Sequence, residues 1–242
     1  MKELKMRPKI YLFGDSITEE SFSIGGWGAI LANHFCRAVD IVLRGYSGYN
    51  TRWALHVLEK IFPEETINGD PLAVTLFFGA NDASLQGRYC EFQHVPVDEF
   101  KSNLKAISSF FKKKWPNTTV IFITPPPVDE DGRLLFPFSE NPLGLVERTN
   151  EAAGEYAKAC ISVAEECGAP VIDLWTKMQQ VPGWQNSYLR DGLHLTEAGN
   201  KVVFEELIEK LSQVGVSLET QQIDLPLITE IDHHNPLKSF HN

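Results

Sequence analysis

Three side chains that together can activate a hydroxyl occur in two short blocks far apart in the chain. Ser16 lies in Phe13-Gly14-Asp15-Ser16-Ile17-Thr18, and Asp191 and His194 lie in Asp191-Gly192-Leu193-His194-Leu195-Thr196. A serine hydroxyl is a poor nucleophile unless a base takes its proton, and an imidazole serves near neutral pH when a third group fixes its tautomer and orientation. Asp191 and His194 suit these two tasks. Three residues apart in a turn, the carboxylate can reach back to one ring nitrogen while the other faces Ser16. Acyl transfer also requires donors aimed at the carbonyl oxygen where negative charge develops. The candidates are the backbone N–H groups of Ser16 and Gly48 and the side-chain amide of Asn81. Glycine lets a substrate approach the backbone closely, and an amide donates without titrating.

Each group has a plainer reading when taken singly. Ser16 suits a helix N-cap, Asn81-Asp82 a turn or cap, Gly48 a turn, and His194 a hydrogen-bonded loop. The elements that must position them argue for the joint reading. Five short apolar runs, rich in β-branched and aromatic residues, cover residues 9–13, 39–43, 72–78, 119–124 and 170–174. Their nearly continuous hydrophobicity predicts strands of a parallel sheet buried on both faces. Segments of helical period separate them: one through Trp27, Ile30, Leu31 and Phe35, another with Trp53, Val57 and Ile61, and a third with Phe100, Leu104, Ile107 and Phe111. A fourth spans about residues 143–167 and closes at Gly168, and a fifth carries Val203, Leu207 and Leu211. The alternation predicts a three-layer α/β/α sandwich around a five-stranded parallel sheet, with ligands at the carboxyl ends of the strands. Gly14-Asp15-Ser16, Gly48 and Asn81 each follow a strand, and Asp191-Gly192-Leu193-His194 follows the fifth beyond a short irregular stretch, so all are expected on one edge of the sheet.

The chain has 242 residues, 43% of them hydrophobic, which predicts one sizeable core rather than two. We expect a single domain over residues 1–216 and an irregular tail over 217–242. The charged N-terminus, Met1 to Pro8, has no apolar stretch, and no run approaches a membrane span, so a soluble, cytoplasmic chain without stable membrane insertion is expected. Cys36, Cys90, Cys160 and Cys167 match no zinc or redox spacing and are expected as free thiols. A formal charge of -10 argues against nucleic acid as a partner. Lys112-Lys113-Lys114 reads as a helix C-terminus, and His233-His234 lacks further metal ligands. The chemistry calls for no metal or organic cofactor, and neither H-E-x-x-H, a phosphate-binding loop nor a G-x-S-x-G elbow is present. The arrangement of subunits is left open.

The blocks Gly14-Asp15-Ser16-Ile17-Thr18, Gly48, Gly79-Ala80-Asn81-Asp82 and Asp191-Gly192-Leu193-His194 resemble those of the SGNH hydrolases, or GDSL esterase/lipase family, over roughly residues 8–212. Ile17 stands where leucine is commonest. The resemblance implies a flavodoxin-like fold, Ser16 as nucleophile, Asp191 and His194 completing a triad, and Ser16, Gly48 and Asn81 as oxyanion donors. Gln93-His94-Val95-Pro96-Val97, Thr124-Pro125-Pro126-Pro127 and Glu147-Arg148-Thr149-Asn150-Glu151 resemble the isoamyl acetate-hydrolysing esterase branch. This implies a serine esterase acting on a small-molecule ester, with short-chain acyl or acetyl esters favoured and a role in lipid degradation. Its rivals are a lipase or acyltransferase on longer acyl esters, an inactive ligand-binding module of the same fold, and a nucleotide-binding protein. His94 is either a substrate contact or part of the turn leading into a helix. The absence of a cap-sized insertion between strands predicts an open, shallow site, and Asp15 is expected to fix its turn.

Overall fold

The computed structural model describes residues 7–62 and 69–240; Met1 to Met6, part of the charged N-terminus, lie outside the described residues. In chain order the main elements are β1 (Lys9–Gly14), α1 (Ser16–Glu19), α2 (Trp27–His34), β2 (Asp40–Gly45), α3 (Thr51–Ile61), β3 (Ala73–Phe77) and α4 (Val97–Lys114). There follow β4 (Thr119–Ile123), α5 (Glu130–Leu135), α6 (Asn150–Glu166), β5 (Val171–Ile172), α7 (Leu174–Gln179), α8 (Trp184–Tyr188) and α9 (Glu197–Gln213). The five strands form one parallel sheet in the order β2-β1-β3-β4-β5, the flavodoxin-like order.

Alternation along the central strands divides the core into two layers, because successive side chains point to opposite faces. Ile10 and Leu12 of β1, Ala73 and Phe77 of β3, and Ile121 and Ile123 of β4 pack with Trp27, Leu31, Val203, Leu207 and Leu211 from α2 and α9. Phe13, Val74, Leu76, Val120 and Phe122 pack on the other face with Ala54, Leu58, Phe100, Leu104, Ile107, Phe111 and Val163 from α3, α4 and α6. Aromatic rings dominate this second layer: Phe13 meets Phe78 edge-on at 4.9 Å and Phe62 at 5.2 Å, within the favoured range for such pairs. Among the described residues no helix is long and apolar enough to cross a membrane. The four cysteines are unpaired, and Lys112 to Lys114 form the last turn of α4.

Four expectations need correction. The predicted fourth helix begins at Asn150 rather than near Leu143, because the Thr149 hydroxyl caps it by accepting from the Ala152 N–H at 3.2 Å. Only Val171–Ile172 of the fifth run pairs in the sheet, because Asp173 already caps α7. β2, an edge strand, is half-buried along its whole length rather than buried on both faces. An insertion does exist between β4 and α6, holding α5 and a loop with exposed Leu135, Phe136, Phe138 and Leu143.

Among the described residues beyond α9 the helical elements are short 3-10 turns, at Ile228–Glu230 and Pro236–Phe240. Asp224 ties this segment to the body by accepting from Arg7 at 2.7 Å and Arg37 at 3.4 Å.

Candidate active site

β1 ends where its backbone can turn sharply. Gly14 stands there because a Cβ would lie 2.1 Å from the Thr18 hydroxyl and 2.6 Å from the Phe77 carbonyl. Asp15 then caps α1, its Oδ1 accepting from the Ile17 N–H at 3.0 Å, which leaves Ser16 as the first helical residue. A first-turn N–H has no acceptor within its own helix, so the Ser16 N–H is available to a ligand. Asp15 is buried, and burial pushes its carboxyl up to about 7 against the Ile17 hydrogen bond and the His194 charge.

Asp191 and His194 sit in a closed loop between α8 and α9. An isolated antiparallel bridge joins Leu189 to Leu195, and the Arg190 N–H donates to the His194 carbonyl at 2.9 Å. Leu193 and Leu195 are buried on either side of His194 and anchor the loop in the core. Gly192 has φ +82°, and a Cβ there would lie 2.4 Å from the Asp129 carbonyl, so the loop packs directly on α5. The Asp129 N–H donates to the Gly192 carbonyl at 2.9 Å and fastens that contact.

The two blocks meet in one hydrogen-bonded line. Ser16 Oγ is 3.0 Å from His194 Nε2, and His194 Nδ1 is 2.7 Å from Asp191 Oδ2. Asp191 Oδ1 also accepts from the backbone N–H groups of Leu193 at 3.0 Å and His194 at 2.7 Å. Burial alone would raise the Asp191 carboxyl, but the ring hydrogen bond, the His194 charge and these two N–H donors hold it well below the usual carboxylate range. An ionised Asp191 fixes the proton on Nδ1 and leaves Nε2 as an acceptor, so the line can pass the Ser16 proton to the ring.

Asn81 and Gly48 flank Ser16 from β3 and β2, on either side of β1. Asn81 Nδ2 donates one hydrogen to the Tyr49 carbonyl at 2.9 Å, and its Oδ1 accepts from Arg148 Nη2 at 2.9 Å. The Gly48 carbonyl accepts from Gln93 Nε2 at 3.0 Å, and Gln93 Oε1 accepts from the same Arg148 Nη2 at 2.8 Å. Asp82, next to Asn81, is fully buried and holds the start of α3 by accepting at Oδ1 from the Thr51 N–H at 3.0 Å and the Thr51 hydroxyl at 2.5 Å. Burial raises its carboxyl to about 7, against those two hydrogen bonds. His94 is half-buried at the start of the turn into α4, with Nδ1 2.7 Å from the Ser84 carbonyl.

A buried ionic chain not anticipated from the sequence runs beneath these groups. Arg148 Nη1 donates to Glu147 Oε1 at 3.0 Å, and Arg133 Nε donates to the same oxygen at 2.7 Å. Arg133 Nη1 reaches the Asp191 carbonyl at 2.9 Å and lies 3.5 Å from its carboxylate. Glu147, Arg148 and Gln93 stand in the blocks that resemble the esterase branch, but nothing in the residues themselves marked them as buried partners. A cleft of about 420 Å³ is lined by Asp129, Leu135, Phe136, Gln185, Arg190 and Gly192; it borders the backbone of the His194 loop rather than the Ser16 hydroxyl.

Comparison with known proteins agrees with this architecture. Residues 10–207 match the family model described as GDSL-like Lipase/Acylhydrolase. A GDSL esterase/lipase of Arabidopsis thaliana is 62% identical over 237 residues, covering 97% of this chain and 98% of that protein. An isoamyl acetate-hydrolyzing esterase 1 homolog of Rattus norvegicus is 41% identical, covering 93% of this chain and 94% of that protein. The crystal structure of a lipase/acylhydrolase from Enterococcus faecalis superposes with a TM-score of 0.66 at 28% identity, over 90% of this chain and 98% of the other. The chain thus belongs to the GDSL-like lipase/acylhydrolase family and is a carboxylic ester hydrolase.

Proposed function

We propose that this chain hydrolyses small carboxylic esters, short-chain acyl or acetyl esters above all, through Ser16 as nucleophile, His194 as base and acid, and Asp191 as the orienting carboxylate. The observation that carries the proposal is the line from Ser16 Oγ to His194 Nε2 at 3.0 Å and from His194 Nδ1 to Asp191 Oδ2 at 2.7 Å. His194 takes the Ser16 proton as Oγ bonds to the ester carbonyl carbon. The N–H groups of Ser16 and Gly48 and the free hydrogen of Asn81 receive the oxyanion. Collapse of the tetrahedral species expels the alcohol, which takes its proton from His194. Water then attacks the acyl-enzyme by the same route and frees the carboxylic acid.

The acetyl preference is supported by the name of the rat relative, an isoamyl acetate-hydrolyzing esterase 1 homolog. A second reading, turnover of longer acyl esters, is supported by exposed Leu135, Phe136 and Phe138 on the insertion after β4. His94 is assigned to the substrate side of the α4 turn. Residues 1–216 are assigned to one catalytic domain, with 217–242 as its tail. Unpaired thiols at all four cysteines support a reducing, cytoplasmic setting.

Two measurements test this function. An organophosphonate should label Ser16 once per chain, read by peptide mass spectrometry, and Ser16→Ala should take up none and turn over no ester. Near-native turnover by Ser16→Ala ends the reading. Rates across p-nitrophenyl esters of two to sixteen carbons, with an acetylated sugar alongside, should peak at short acyl chains. A maximum at long chains selects the second reading instead.

A further inference from the structure

The geometry points to Arg148 as the positioning residue of the oxyanion hole: one guanidinium orients the Asn81 amide directly and anchors Gly48 through Gln93. The inference rests on the proposed roles of Asn81 and Gly48 as oxyanion donors. An asparagine amide has two nearly isosteric ends, and only the nitrogen end can stabilise an oxyanion. Turned by half a revolution, Asn81 would place its oxygen against the developing charge. Arg148 Nη2 donating to Oδ1 at 2.9 Å and the Tyr49 carbonyl accepting from Nδ2 at 2.9 Å together allow a single orientation.

The same argument applies to Gln93. Its Oε1 is taken by Arg148 Nη2 at 2.8 Å, so its Nε2 must face the Gly48 carbonyl, which it meets at 3.0 Å. Gly48 is thereby held from its carbonyl side, and glycine has no side chain to hold it otherwise. Arg148 Nε donates to the carbonyl of Ala80, the residue before Asn81, at 2.8 Å. Arg148 is only 3% exposed, so these bonds form away from water, where leaving one unmade is costly.

A purely structural cation would need only its counter-ion, and Glu147 supplies that through Nη1 at 3.0 Å. The Nε and Nη2 edges are instead spent on the groups that frame the hole. The planar fork makes this possible, because it presents five donors in fixed directions whereas a lysine presents three on one atom. Glu147 Oε1 also binds Arg133 Nε at 2.7 Å, and Arg133 Nη1 holds the Asp191 carbonyl at 2.9 Å. The hole and the loop carrying His194 are therefore braced by one carboxylate.

A double-mutant cycle tests the assignment, with kcat and KM for p-nitrophenyl acetate measured in wild type, Asn81→Ala, Arg148→Lys and the double variant. Arg148→Lys keeps the charge on Glu147 but loses the fork, and misplacing donors by about an ångström should lower kcat about 10- to 100-fold with KM within twofold. Asn81→Ala should lower kcat by about 10²–10³-fold. Because Arg148 acts through Asn81, its replacement should cost only about threefold more in the Asn81→Ala background. Full multiplicativity of the two losses, or near-native kcat in Arg148→Lys, overturns the inference. Near-native kcat in Asn81→Ala would instead remove the oxyanion reading itself, so the two failures are distinguishable. Should Arg148→Lys fail to fold, Gln93→Met cuts the Gly48 arm alone. Its kcat should fall about threefold at unchanged KM, and wild-type kcat overturns the inference.

Discussion

Replacing Asp191 by asparagine separates orientation of the imidazole from stability of the loop. Asp191 Oδ1 accepts the Leu193 and His194 backbone N–H groups at 3.0 and 2.7 Å, and an asparagine oxygen can keep both bonds. Its NH2 then replaces Oδ2, which lies 2.7 Å from His194 Nδ1. Two donors cannot face each other at that distance, so the ring must move its proton to Nε2, the atom 3.0 Å from the Ser16 hydroxyl. The imidazole then donates where it must accept. Flipping the asparagine would rescue the tautomer only by setting NH2 against two backbone donors. A wrong tautomer of this kind lowers kcat by about 10⁴, which at about 1.36 kcal/mol per decade raises the barrier by about 5.5 kcal/mol. Arg133 keeps the Asp191 carbonyl at 2.9 Å, so the loop should stay folded. Initial rates on p-nitrophenyl acetate with calorimetry on the same samples provide the assay. We expect the 10⁴-fold loss in kcat, KM within about threefold and Tm within a few degrees of wild type. A folded Asp191→Asn with kcat within tenfold of wild type would refute the orienting role.

Gly192→Ala would bring a Cβ within 2.4 Å of the Asp129 carbonyl at a backbone φ of +82°, so Tm should fall by several degrees, with kcat falling as the His194 loop shifts from α5. An unchanged Tm in scanning calorimetry would show that the loop does not rest on α5. Asp15 and Asp82, both raised to about 7 by burial, bind protons in the folded chain that the unfolded chain releases from about pH 4 upward. Their stabilising share is full below that pH and lost as pH rises toward 7 and beyond, so urea midpoints should fall from pH 5 to pH 8. Asp82→Asn should flatten that slope, and an equal slope in the variant counts against a raised Asp82. Asp191 shifts the other way, so its share is present above pH 4 and lost only in stronger acid. Phe13→Ala removes a fully buried ring in contact with Phe62 and Phe78 and should cost about 3–5 kcal/mol in urea unfolding; less than 1 kcal/mol would mean that the layer collapses to fill the space.

Residue type and order along the chain were enough to place the sheet and the Ser16, Asp191 and His194 blocks. Each central strand is a nearly continuous apolar run, and the Ser16, Gly48 and Asn81 blocks each follow a strand, so periodicity and position agree there. Asp191 and His194 come after β5 only beyond α7 and α8, where a short irregular stretch is expected from the sequence. Periodicity failed where apolar residues are not core. Leu143 and Leu145 extend the helical pattern of α6 backward yet are exposed in a loop, and the cap at Thr149 decides the boundary. The short β5 was overestimated for a related reason, because Asp173 reads as a turn residue whether a strand or a helix follows it. The Arg133, Glu147 and Arg148 network stayed hidden because charged residues are ordinarily solvated, and its bonds span up to 68 positions with no local pattern.

The Ser16 to His194 contact spans 178 positions in the chain. During synthesis at about 5–20 residues per second, the imidazole follows the hydroxyl by about 10 to 35 s. β2 and β3, which flank β1 in the sheet, are both made well before the His194 loop. On the proposed triad, the nascent polypeptide carries an inert serine until the His194 loop reaches it. A ribosome-stalled chain ending before residue 191 should therefore expose no activated hydroxyl to cellular esters or to serine-directed poisons.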